Sequence, residues 1–128
     1  MAISASNVFA GTVSEIREGA VNAEVSLSIT GGDVIVATVT LDSLKALGLS
    51  VGKAVTAFVK APSVMVVTGD DSVCYSARNH LKGLVSELKT GAVNSEVVVK
   101  LAGGSEVKAI ITNDAVTDLG LVVGSAAG

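Results

Sequence analysis

The chain has 128 residues, a net charge of −3 from 9 basic and 12 acidic side chains, and as aromatics only Phe9, Phe58 and Tyr75. That balance speaks against a non-specific nucleic-acid binder, and too few aromatics are present for a base-stacking surface. At 49% hydrophobic and 16% charged the chain is composed to fold, and its single cysteine, Cys74, rules out an internal disulfide.

The start, MAISASNVFAG, lacks the basic and apolar regions of a signal peptide, and no apolar run approaches the roughly 20 residues of a membrane helix. A cytoplasmic protein without a membrane partner is therefore expected.

In chain order, a first strand is predicted from about Phe9 to Ile16, with Gly11 as a bulge or a point of close backbone approach. Val21, Ala23, Val25, Leu27 and Ile29 alternate onto one face of a second strand, and Ile35, Ala37, Val39 and Leu41 onto one face of a third. The TGG at 30–32 between them is a hairpin signal. In TLDSLKALG (40–48), Leu41, Leu44 and Leu47 form a helical stripe that Thr40 caps and Gly48 ends. GKAVTAFVKAPSVMVV (52–67) then gives a last strand, or two broken by Pro62.

After the polar connector TGDDSVC (68–74) the same order returns. Residues 4–56 slide onto 76–128 without a gap, so that SASN meets SARN and the words VSE and GAVN recur. Gly11/Gly83, Gly19/Gly91, Gly48/Gly120 and Thr40/Thr112 are among the identical pairs, which marks a duplication. The expected units are 1–69 and 74–128. Gly128 aligns with Thr56, so unit two lacks counterparts of Ala57 to Val67. Its closing strand is either truncated or borrowed, and truncation is the favoured expectation. The predicted class is all-β: two tandem OB-like small barrels, each with one short helix. Units of this size bury little surface alone, so a homo-oligomer is expected.

Catalytic machinery is not legible. His80 aligns with Val8, and no CxxC, HExxH, GK[ST] or G-x-S-x-G motif occurs. Glu15, Glu24, Glu87 and Glu96 repeat, but at strand ends where solvation or cross-strand pairing accounts for them. What repeats besides is small, polar and amide-rich: Ser4, Asn7, the GAVN loop and Thr40. Gly-containing turns and helix starts point N–H groups outward, which suits an oxyanion, and Lys60 and Arg78 could add positive charge. Beside that reading stands a plain structural one, in which Thr40 is a cap and Asn7 and Asn22 are turn residues.

Together, SARNHLKGLVSELKTGAVNSEVVVKL with its GG, the later LGL, and the matching words of unit one resemble the Mop or molbindin family of small cytoplasmic molybdate- and tungstate-binding modules. The resemblance covers nearly the whole chain, twice. It implies MOP-type barrels, trimers of tandem chains, and anions held between units without an organic cofactor or metal coordination by side chains. Storage or homeostasis of molybdenum is the implied role. The alternative is a molybdate-sensing module of a transcription regulator or importer.

By the same resemblance, Ser4, Ala5, Asn7, Thr40, Ser43, Lys60, Ala61, Ser76, Ala77, Arg78, Asn79 and Thr112 are anion-site positions. The loops Gly19, Ala20, Val21, Asn22 and Gly91, Ala92, Val93, Asn94 are candidates for a second site type built from backbone amides. The family arginine is Ser6 in unit one, and Ser43 becomes Ala115 in unit two. Unit one keeps the lysine and unit two the arginine, so a site shared between Arg78 with Ser76 and Lys60 with Thr40 is expected.

Overall fold

The computed structural model describes residues 6–69 and 74–128. Two four-stranded antiparallel sheets, each curled into an OB-like half-barrel, account for nearly all regular structure. The first contains β1 (Asn7–Glu18), β2 (Asn22–Ile29), β3 (Val34–Thr40) and β4 (Ala54–Val59), in the order β3-β2-β1-β4, with α1 (Leu41–Ala46) between β3 and β4. The second contains β5 (Gly83–Thr90), β6 (Asn94–Leu101), β7 (Glu106–Thr112) and β8 (Ala126–Ala127), in the order β7-β6-β5-β8, with α2 (Asn113–Leu119) before β8. The all-β expectation, one short helix per repeat, holds.

Alternating hydrophobicity becomes alternating burial. In β2, Ala23, Val25, Leu27 and Ile29 are buried, while Glu24, Ser26 and Ser28 between them are partly exposed. Val21 departs from the predicted face: it lies in the turn before β2 and is 71% exposed. Leu47 departs likewise. At 59% exposed it sits beyond the last turn of α1, which buries Leu44 alone.

Gly11 is a point of close approach rather than a bulge, since a Cβ there would run into the Ser28 carbonyl, as one at Gly83 would into that of Lys100. The register shifts fall later, between Val13 and Glu15 and between Val85 and Glu87. The extra residue is a serine each time. Ser14 Oγ donates to the Ser26 carbonyl (3.2 Å) and Ser86 Oγ to that of Val98 (3.3 Å). These hydroxyls bond carbonyls beside the interrupted ladder.

Both helices start and stop as their sequences dictate. Thr40 Oγ1 accepts from the Ser43 N–H (3.0 Å) and Thr112 Oγ1 from the Ala115 N–H (3.1 Å). Gly48 and Gly120 end them at φ 61 and φ 63, a left-handed conformation that a Cβ would strain.

Contacts divide the chain into Phe9–Ala57 and a second unit, Met1–Val8 with Phe58–Gly128, whose described parts are residues 6–8, 58–69 and 74–128. Val13, Ala23, Val25, Leu27 and Leu44 form the core of the first unit. In the second unit Val85, Val97, Val99, Leu101, Leu121 and Ala127 form the core, with Val66 packed against it. Val67 sits beside the chain's last residue: its N–H donates to the Gly128 carbonyl (2.8 Å) and its carbonyl accepts from the Gly128 N–H (3.0 Å). The tail of the first repeat thus pairs with the end of the second. Asn7 belongs to the same unit. Its Nδ2 donates to the Lys108 carbonyl (2.8 Å) and its Oδ1 accepts from the Lys108 N–H (2.7 Å), so one side chain occupies both groups of a β7 edge residue.

Candidate functional site

Within each unit the fold brings a GAVN loop against a helix start. In the first unit Asn22 pairs with Thr40 across β2 and β3, and the Leu41 N–H donates to the Val21 carbonyl (3.0 Å). The Gly19 N–H closes the loop on the Asn22 carbonyl (2.8 Å). Ser43 joins the same corner, since Thr40 Oγ1 and Ser43 Oγ are 2.9 Å apart. The second unit repeats this corner. Asn94 pairs with Thr112, the Asn113 N–H donates to the Val93 carbonyl (2.8 Å), and the Gly91 N–H donates to the Asn94 carbonyl (2.8 Å). Ala20, Val21, Ala92 and Val93 are all exposed at the loop tips. The corner offers backbone groups and hydroxyls, with one carboxylate, Asp42 or Asp114, in the first turn of the adjoining helix.

Other expected positions lie elsewhere. Ser4 and Ala5 fall outside the described residues. Asn7 is 2% exposed, with both ends of its carboxamide engaged on Lys108. Ala61 is buried in a single 3-10 turn, Ala61–Ser63, that Lys60 precedes with an exposed side chain. Ser76, Ala77, Arg78 and Asn79 are exposed in the irregular stretch leading to β5. Lys60 and Arg78 belong to one unit, Thr40 and Ser43 to the other.

Among the described residues no three of His, Cys, Asp and Glu are placed to hold a metal ion. His80 is exposed, edge-on to Tyr75 with ring centroids 5.2 Å apart, beside a recess of about 190 Å³ that Val67, Lys82 and Gly128 also line. Glu15 hydrogen-bonds Arg17 (2.8 Å), which raises the already high pKa of that exposed guanidinium, and Glu87 pairs with Lys89 (3.3 Å). Each is a solvated ion pair within its own strand, the first on β1 and the second on β5.

Two residues absent from the sequence expectation complete the second corner. Ser95, buried on β6, donates its hydroxyl to Asn113 Oδ1 (2.5 Å), and Asn113 Nδ2 donates to the Gly91 carbonyl (3.0 Å). The first repeat has Ala23 and Leu41 at these places. The legible signal was that paired change, two apolar residues becoming two polar ones, which stands among other apolar-to-polar changes such as Val34 to Glu106 and Val36 to Lys108.

Tandem curled sheets, each with a donor-lined corner, define a small ligand-binding β-module used twice. The chain belongs to the TOBE domain family, whose pattern matches residues 3–66 and 75–127, and within it to the tandem Mop type. It is 42% identical over 99% of its length to the molybdenum transport protein ModE of Herbaspirillum seropedicae, covering 47% of that protein. It thus spans about half the length of the longer curated relatives it matches. A single repeat length is 50% identical to 96% of a probable molybdenum-pterin-binding protein of Haemophilus influenzae. Among solved structures, the cytoplasmic molybdate-binding protein ModG with molybdate bound superimposes with a TM-score of 0.94 at 51% identity, over 99% of this chain and 90% of that one.

Proposed function

We propose that the chain binds molybdate or tungstate and serves as a cytoplasmic store that buffers molybdenum, as a binding protein and not an enzyme. The observation that carries this reading is the 51% identity to ModG across 90% of that molybdate-binding protein. The two GAVN corners and the Ser76–Asn79 and Lys60 positions are the proposed donors, and the assembly is a trimer with anions held where copies meet. Binding exchanges the water around a dianion for fixed N–H and O–H groups, with Arg78 or Lys60 supplying charge-assisted bonds that are about twice as strong as neutral ones. The expected partner is this small oxyanion, not nucleic acid or membrane, in keeping with a net charge of −3.

Equilibrium dialysis against molybdate, tungstate and sulfate, followed by elemental analysis, tests the proposal. Molybdenum or tungsten should be retained in preference to sulfur; protein that retains neither overturns it. Bound anion should also raise the melting temperature, since ligand at 100 times its Kd adds about 2.7 kcal/mol.

A sensing role is the second reading, favoured by the 42% identity to ModE over both repeats. Storage predicts several anions per chain. Sensing predicts a change in affinity for a macromolecular partner on loading.

A further inference from the structure

We infer that Asn113, held by Ser95, is a positioning residue that presents the Ala92 N–H for ligand, and that it makes the 91–94 loop the tighter of the two GAVN loops. The inference rests on the oxyanion reading above and adds which loop binds better, and why.

The geometry carries it. A carbonyl can only accept, so the bond to Gly91 fixes the Asn113 amide with Nδ2 toward the loop and Oδ1 toward the Ser95 hydroxyl. The main-chain N–H of Asn113 also holds the Val93 carbonyl. One residue therefore pins two carbonyls of the loop, those on either side of Ala92. In a trans peptide the C=O and N–H point in opposite directions. With the Gly91 carbonyl drawn toward Asn113, the Ala92 N–H of the same peptide plane is turned away from Asn113, at an exposed residue.

The first repeat keeps only half of this. Leu41 holds the Val21 carbonyl through its backbone N–H, but neither Leu41 nor Ala23 has a side chain that could hold the Gly19 carbonyl. The Gly19–Ala20 peptide plane thus lacks the restraint that Asn113 supplies in the second repeat, and an anion there must order it on binding. Ordering before binding is what raises affinity without a new contact.

The test follows the Ala20 and Ala92 amide resonances of the intact protein during titration with molybdate. In the wild type both should shift, with Ala92 saturating first. Asn113→Leu and Ser95→Ala, which restore the first-repeat residues, should weaken the Ala92 isotherm about tenfold, the net worth of one hydrogen bond, and leave that of Ala20 unchanged. The double graft Ala23→Ser with Leu41→Asn should tighten Ala20 instead, a gain that mere structural support would not produce. If both amides shift but Asn113→Leu and the graft leave the two isotherms as they were, the positioning role is wrong while the oxyanion reading stands. If neither amide responds to molybdate, the loops are not anion sites and both readings of them fall.

Discussion

Asn7 illustrates how much one side chain can hold. Its carboxamide meets the N–H and the carbonyl of Lys108, a residue of the edge strand β7. Asn7→Leu keeps the branched shape and removes both bonds, leaving those two groups without their partner. We expect a loss of about 2 kcal/mol in urea unfolding, in the range for stranded polar groups. Thr112→Ala should cost about 1 kcal/mol by the same measurement, because the Ala115 N–H loses its cap. The caps were legible in sequence, since Thr before an amphipathic turn has one well-known use. The roles of Asn7 and Asn113 were not. A long-range bond from a side chain to a backbone carbonyl leaves no periodic trace, and only the departure from the repeat marks Asn113.

Among the elements, the strands followed from alternation and the turns from glycine, but their details came from the ladder. The shared word VSE is an example. It recurs because its serine is the residue that the bulge leaves over, and the hydroxyl bonds a neighbouring carbonyl. Period-two reading cannot locate such a slip, so Gly11 attracted the assignment instead. Gly83→Ala separates the two devices. Its Cβ would press on the Lys100 carbonyl at the β5–β6 pairing, which must shift, and we expect a loss of about 3 kcal/mol in thermal unfolding, as for overpacked interiors. Ser86→Ala leaves the pairing intact and should cost about 1 kcal/mol. Val21 and Leu47 were misread for one reason: each continues an apolar pattern one step past the end of its element.

For the whole chain, the duplication was plain in the sequence, and with it the fold class. Repeat alignment records ancestry, however, and not which core a segment joins. Val66 and Val67 descend with the first repeat yet pack with the second. Val67→Pro tests what that pairing contributes. Proline has no N–H for the Gly128 carbonyl, so amides of β5 to β8 should exchange faster while those of β2 and β3 keep their protection. Uniform loosening of both sheets would contradict the assignment of Val67 to the second unit.

The discontinuity of that unit has a consequence for biosynthesis and for cleavage. Phe9–Ala57 is one uninterrupted run, whereas its neighbour draws on chain from both sides of it. A nascent polypeptide can therefore complete the former early, while Asn7 and Val67 wait for Lys108 and Gly128 to leave the ribosome. The chain also passes between the units twice, at Val8–Phe9 and at Ala57–Phe58. A protease that cuts one passage leaves the halves tethered by the other, and only a second scission can part them.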